Sequence, residues 1–504
     1  NRLKQLAGQT AIYGLSSIIG RFLNYLLVPV HTQKNAFDPE QYGVVSEMYS
    51  YVAFLIILLL YGMETAFFRF NTTDKHDPRK TYTTAVYSLL FTTALFIAGA
   101  ILFRLPIAEL LRYPNHSEYV AWFAIIIGLD AIGAIPLAKL RAENRAKRFA
   151  AVNLVNVGVN ISLNLFWVGY CIPAAKAGHS NFLLEHFYDP EIGVGYVFRA
   201  NLAASGVKFL MLVPELLKAR YGMDWRLFRE MLVYAAPLLI AGLAGIINET
   251  LDRILIKWLL LPEGEEYAMY QLGVYGACYK LSIIMTLFLQ AFRYAAEPFF
   301  FAQAKASDSR ETYATVMTYF VLVLSVIFVG VTLFLDIFKY FIPNQEYWEG
   351  LQVVPVLLLA NLFLGIFYNQ SVWYKLTNRT VYGAYIALVG AAITVVLNLW
   401  WIPVLGYMGS AWATLICYAS MALISYLLGQ RFYAVPYRLK KIFFFLALAV
   451  GTYSISEAIR HNAGLTIDWR NIAQNLGLFA LFIGILLAVE KPWRLWRSSP
   501  STNE

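Results

Sequence analysis

The chain of 504 residues is 59% hydrophobic and only 14% charged, with a mean hydropathy of +0.56. Soluble domains run near one-quarter charged, so an ordinary soluble fold is excluded. A formal net charge of +9 raises nucleic acid as a partner, and the placement of the basic residues answers that question.

A membrane-spanning helix needs about 20 mostly apolar residues. Reading along the sequence, spans are expected at 8–30, 43–66, 81–103, 118–138, 149–169, 193–214, 232–260, 270–292, 312–335, 351–372, 380–402, 408–428, 442–459 and 472–490. The fold class is therefore all-α, a polytopic membrane protein of about 14 helices. A transmembrane barrel would alternate apolar and polar residues, whereas Val52 to Leu60 and Ile442 to Val450 are apolar on every side. Of the 40 Lys and Arg, 27 fall in alternate connections and the two ends, 7 in the opposite set and 6 within spans. Basic residues concentrate in cytoplasmic loops, so both termini are expected in the cytoplasm and the charge reports topology, not nucleic acid. Arg21 interrupts the first apolar stretch, so no cleavable leader is expected. Cys171, Cys278 and Cys417 are far apart and imply neither a disulfide framework nor a metal cluster.

The sequence repeats itself. Gly14 to Leu27 aligns without a gap on Gly242 to Leu255, pairing Arg21 with Glu249 and Asn24 with Asp252. At an offset of 233, Tyr42-Gly43 falls on Tyr275-Gly276, Glu47 on Lys280 and Glu64 on Glu297. Leu163-Asn-Leu-Phe-Trp matches Leu397-Asn-Leu-Trp-Trp. Six helices per copy is an even number, so the copies share one orientation and are related by an axis along the membrane normal. Expected units are an N-lobe at 1–220, a C-lobe at 221–432, and helices 13 and 14 with a cytoplasmic tail at 433–504.

Against this background the segment Leu397-Asn-Leu-Trp-Trp-Ile-Pro-Val-Leu-Gly-Tyr-Met-Gly-Ser-Ala-Trp-Ala-Thr414 resembles a signature joining helices 11 and 12 of polysaccharide flippases. Gly62-Met-Glu-Thr-Ala-Phe-Phe-Arg69 is similar to their helix 2 end, and Asp38-Pro-Glu-Gln-Tyr-Gly43 to their helix 1 to 2 turn. These proteins form the polysaccharide transporter branch of the multidrug/oligosaccharidyl-lipid/polysaccharide exporter superfamily. The resemblance implies a two-lobed transporter, not an enzyme, in the cell membrane. It would carry a polyprenyl-diphosphate-linked oligosaccharide to the outer leaflet by alternating access. Its partners would be that lipid-linked substrate, membrane lipids and polysaccharide polymerase machinery. A cation-coupled multidrug antiporter and a peptidoglycan-precursor (lipid II) flippase are the alternatives. No cofactor is expected beyond a coupling H+ or Na+.

Charges inside the bilayer cost about 2.5 to 3.5 kcal/mol on insertion scales and by default face a cavity or a partner. Arg21, with Asn24 one turn on, is expected to line the cavity and contact the diphosphate, or else to pair with Glu249. Arg253 and Lys280 are further substrate candidates, and Lys280 is expected to pair with Glu47 or to add positive charge to the cavity. Glu249 and Asp252 are candidates for ion coupling; as chain neighbours, Asp252 and Arg253 are not expected to pair face to face. Asp130, a further ion-coupling candidate, needs a partner from another helix or else must be protonated. Glu64 and Glu297, beside Arg69 and Arg293, are gate candidates. Asn164 and Asn398 are expected to serve packing. No phosphate-binding loop, His-Glu-x-x-His or Gly-x-Ser-x-Gly motif occurs in the chain. A membrane-embedded glycosyltransferase or polymerase would need catalytic carboxylates or a large outside loop, which the loop inventory lacks.

Overall fold

The computed structural model describes residues 18–71, 76–304, 306–460 and 468–490, apart from the side chains at 294, 295, 297, 298, 301 and 302. These residues are mostly helical, with no strand among them. Thirteen helices are long and apolar enough to cross a membrane, and Ile18–His31 is a shorter apolar one. With that helix as α1, they are α2 (Pro39–Asn71), α3 (Pro78–Leu102), α4 (Ser117–Ala142), α5 (Ala146–Lys176), α6 (Gly195–Leu216), α7 (Trp225–Glu263) and α8 (Glu265–Arg293). The rest are α9 (Ser309–Leu333), α10 (Gln345–Leu376), α11 (Val381–Leu405), α12 (Tyr407–Phe432), α13 (Leu439–Ala458) and α14 (Trp469–Glu490). The expected all-α, multi-pass architecture is therefore present.

Local chemistry sets where helices start and break. Asp38 opens α2 with a capping box: its carboxylate accepts from the Gln41 N–H at 2.9 Å, and Pro39 occupies the first turn. Asp224 likewise accepts from the Arg226 and Leu227 N–H groups at the start of α7. Within α2, Tyr61 (φ 33) and Gly62 (φ 73) adopt left-handed conformations and interrupt the helix. At Gly62 a Cβ would lie 2.9 Å from the Ala235 carbonyl oxygen of α7, so the break and the packing both require glycine. In α5, Leu165–Cys171 winds as a π-helix, a rare form that is frequent at functional sites.

Two compact units emerge. The first comprises residues 1–280 with 384–417, the second 281–383 with 418–504. Contact defines these units; the six-plus-six-plus-two division at 1–220, 221–432 and 433–504 is a statement about repeats. In the first unit, Met63, Phe67, Tyr82, Leu89, Leu227 and Met231 bury one apolar core shared by α2, α3 and α7. In the second, Asn475 of α14 donates to the Leu333 carbonyl of α9 at 2.6 Å and accepts from Ser456 of α13 at 2.7 Å. Asp336 beyond α9 pairs with Arg460 beyond α13, and Lys441 with Glu490 at 2.8 Å. Helices α13 and α14 are thus tied to α9 by bonds that cannot be exchanged for water within the bilayer.

Candidate functional site

In the first unit, α2 and α8 approach so closely that their backbones touch. A Cβ at Gly43 would lie 2.4 Å from the Met269 carbonyl oxygen, at Gly273 1.7 Å from that of Pro39, and at Gly276 2.3 Å from Ser46 Oγ. Small residues at membrane helix interfaces permit such approach and the dispersion contacts that come with it. The result is a seam at the ends of α2 and α8 nearest Asp38 and Gly264.

Beside this seam lies a fully buried ion pair. Lys257 Nζ of α7 donates to both Glu47 carboxylate oxygens of α2 at 2.9 Å and to the Leu111 carbonyl at 2.8 Å. Both side chains are 0% exposed. Tyr51 donates to Glu47 at 2.9 Å and accepts from Trp258 Nε1 at 2.9 Å, while Tyr113 donates to the other carboxylate oxygen. The Tyr113 ring also lies 4.3 Å from the ammonium. Burial, then the neighbouring Glu47 carboxylate, pushes the Tyr113 phenol well above its usual range, so it stays a proton donor. Every lone pair and proton of the pair is thereby answered, the condition under which a buried pair is tolerated. The repeat sets Glu47 opposite Lys280, and Lys280 is not its partner; the partner is Lys257, one of the six cations within spans. An acidic residue inside the apolar part of α2 and the single lysine of α7 were the available signal.

Further into the same unit, Asp252 is buried and Tyr275 donates to it at 2.5 Å. Its other oxygen turns back to accept the Arg253 backbone N–H at 2.8 Å. That turn brings the guanidinium to 4.0 Å, so the neighbours do meet, contrary to expectation. Arg253 also donates to the Glu249 carbonyl at 3.0 Å and lies over the Tyr279 ring at 4.2 Å. The Glu249 side chain is exposed, and Lys280 lies within electrostatic reach of Arg253 and Glu249. Arg21 and Asn24 are exposed on α1, and among the described residues neither Arg21 nor Lys280 has an ion-pair partner. Asn24 accepts from Asn160 Nδ2 of α5 at 3.0 Å.

The remaining candidates have local partners. Asp130 of α4 receives Lys208 Nζ of α6 at 2.6 Å and the Ser205 hydroxyl at 3.2 Å, which supplies its missing partner. Glu64 pairs with Arg141, and Arg69 lies over the Tyr234 ring at 4.6 Å. Glu297 lies outside the described residues. Asn398 donates to the Thr394 carbonyl and accepts from Ser410, both at 2.8 Å. Asn164 joins Asn160 to His31, whose Nε2 lies 2.8 Å from its oxygen. No group of three or more metal-ligating side chains occurs among the described residues.

Residues 37–189 match a family model described as "Polysaccharide biosynthesis protein". The solved structure of a lipid II flippase, MurJ in an inward closed conformation, superposes with a TM-score of 0.67 at 12% identity, covering 94% of this chain and 98% of that one. An inward-facing MATE family multidrug resistance transporter of the MOP superfamily gives 0.61 at 14%, covering 82% and 95%. The chain has the MOP transporter fold. A Vibrio cholerae MATE transporter gives 0.54 at 12% identity over 85% of this chain and 96% of that one. No curated protein matches in sequence. The resemblance read from the sequence thus agrees with both the family model and the MOP fold.

Proposed function

We propose that this chain is a flippase that moves a polyprenyl-diphosphate-linked oligosaccharide from the cytoplasmic to the outer leaflet of the cell membrane, with both termini cytoplasmic. The observation that carries the reading is the cationic character of the first unit: Arg21 and Lys280 form no ion pair among the described residues, and Arg253, 4.0 Å from Asp252, shares that carboxylate with Tyr275 and lies over the Tyr279 ring. Uncompensated cations at membrane depth call for an anionic ligand, and guanidinium groups suit a diphosphate. A receptor for cationic drugs would need the reverse balance. The printed titles of the structural relatives name a lipid II flippase and multidrug transporters, so both kinds of cargo occur on this fold. In the second unit, an apolar cleft of about 180 Å³ is lined by Met317, Ile366, Leu423, Phe443 and Leu446, a setting for a prenyl chain. Coupling by H+ or Na+ would act on carboxylates, with Glu249 the exposed one among Glu249, Asp252, Asp130 and Glu64.

The test is translocation of a fluorescent polyprenyl-diphosphate oligosaccharide in proteoliposomes. Wild-type protein is expected to move it, and Arg21→Ala or Lys280→Ala to lower the rate about tenfold or more, the worth of one charge-assisted hydrogen bond. Gradient-driven efflux of a cationic dye with no lipid movement would establish the antiporter instead.

Alternating access requires the α2–α8 seam to part. The loops at its end are poor in Lys and Arg, so this proposal places it outside. Cysteines at Ser46 and Gly276 would bring their Cβ atoms near 3.0 Å, and a slight relaxation reaches the spacing a disulfide needs, about 3.5 to 4.5 Å. Ser46→Cys with Gly276→Cys is expected to stop transport when oxidised and to recover it with reductant; transport unaffected by the bond would refute an opening seam.

A further inference from the structure

Four asparagines lie on α5 at positions 153, 156, 160 and 164, a spacing of three, four and four residues that puts them on one helical face. The opposite face carries Ala151, Leu154, Val155, Gly158, Ser162 and Leu165, all exposed, with Leu154 and Val155 at 41% and 40%. In a membrane helix that outward, largely apolar face meets lipid. The asparagine face therefore points inward, yet Asn153, Asn156 and Asn160 are each half-buried, not sealed. Inward-facing amides that retain access to solvent border an internal water-filled space, because the same groups in hydrocarbon would each forfeit their hydrogen bonds.

The four do not behave alike. Asn164 is fully buried, donates to the Asn160 carbonyl at 2.9 Å and meets His31 at 2.8 Å. Asn160 reaches across to Asn24 of α1 at 3.0 Å. These two fasten α5 to the α1 side. Asn153 and Asn156 make no side-chain hydrogen bond among the described residues. The helices run side by side here, since a Cβ at Gly20 would meet the Val157 side chain at 3.4 Å. The residue after Gly20 is Arg21, so a guanidinium with no ion pair among the described residues lies at a level of α1 close to that of Asn156 on α5.

Resting on the flippase reading, the geometry points to Asn153 and Asn156 as a recognition track for the sugar part of the cargo, with Arg21 at its diphosphate end. The ligand class is a neutral glycan bearing hydroxyl and acetamido groups. Each asparagine offers two N–H donors and a two-lone-pair acceptor, which matches a vicinal diol or an acetamido group. An amide carries no charge, so it adds less to diphosphate binding than a guanidinium does and would gain little from a cationic drug.

The test uses proteoliposomes and two probes with the fluorophore on the lipid: polyprenyl diphosphate bearing an oligosaccharide, and polyprenyl diphosphate bearing no sugar. The Asn153→Ala, Asn156→Ala double variant is expected to move the glycosylated probe about tenfold more slowly while the bare probe keeps its rate. The readout is the ratio of the two rates, because misfolded protein lowers both equally. An unchanged ratio, whether both rates fall or neither does, overturns the assignment and leaves the flippase standing. Wild-type protein that moves neither probe sinks the flippase reading itself, and the track with it.

Discussion

Gly273→Val is expected to prevent the first unit from closing. A Cβ there would lie 1.7 Å from the Pro39 carbonyl oxygen and 3.0 Å from the Gly43 nitrogen. Both obstacles are backbone, so no rotamer change relieves them and the helices themselves must separate by more than an ångström. Overpacking a well-filled site costs about 1–3 kcal/mol and sometimes more; a backbone clash with two added methyl groups belongs at or above the upper end. Separation would also admit lipid or water to the buried charges beside the seam. The measurement is the thermal unfolding midpoint of purified protein in detergent, with Gly245→Val, where a Cβ meets nothing within 4 Å, as the reference. Equal midpoints for the two variants would show that the contact carries no stability.

Lys257→Met is expected to cost about 3–5 kcal/mol, the usual consequence of leaving one half of a buried pair alone. Glu47 would retain the Tyr51 and Tyr113 hydroxyls but lose both bonds to the ammonium, and the Leu111 carbonyl would lose its donor. The Glu47→Gln, Lys257→Met double variant is expected to recover most of that loss, since it removes the orphaned charge as well. A double variant as unstable as the sum of the singles would mean that the two residues act independently and that the pair does not unite α2 with α7. If the pair is also part of an opening end, the double variant should open more readily, which accessibility labelling of a cysteine at Ser46 would register as faster modification.

Much of this architecture was legible because hydropathy responds directly to the solvent. Fourteen apolar segments, Ile18–His31 among them, lie where long runs of Leu, Ile, Val and Phe make a spanning helix the only way to satisfy the backbone. The alignment of the two repeats makes Gly43 and Gly276 mates. Partner choice was not legible. An alignment of two repeats says which residues are equivalent, not which touch, so Glu47 was matched to Lys280 while its ammonium came from Lys257, 210 positions along the chain. Asp252 and Arg253 met because one carboxylate oxygen folds back onto its neighbour's amide, a side-chain choice that helical spacing does not specify. Asp130 announced its need for a base, but only packing of α6 on α4 named Lys208. The four asparagines of α5 were in plain view at helical spacing; their meaning depended on knowing which face of the helix meets lipid.

The glycine seam also bears on symmetry. Gly43 and Gly276 are equivalent by the repeat, and the residues facing each other across the seam, such as Gly43 with Gly273 and Ser46 with Gly276, differ by about the repeat spacing itself. Equivalent stretches of the two copies thus meet each other at matching levels. The match is not complete: the repeat mate of Gly273 is Glu40, so the tightest approach relies on a glycine in one copy alone.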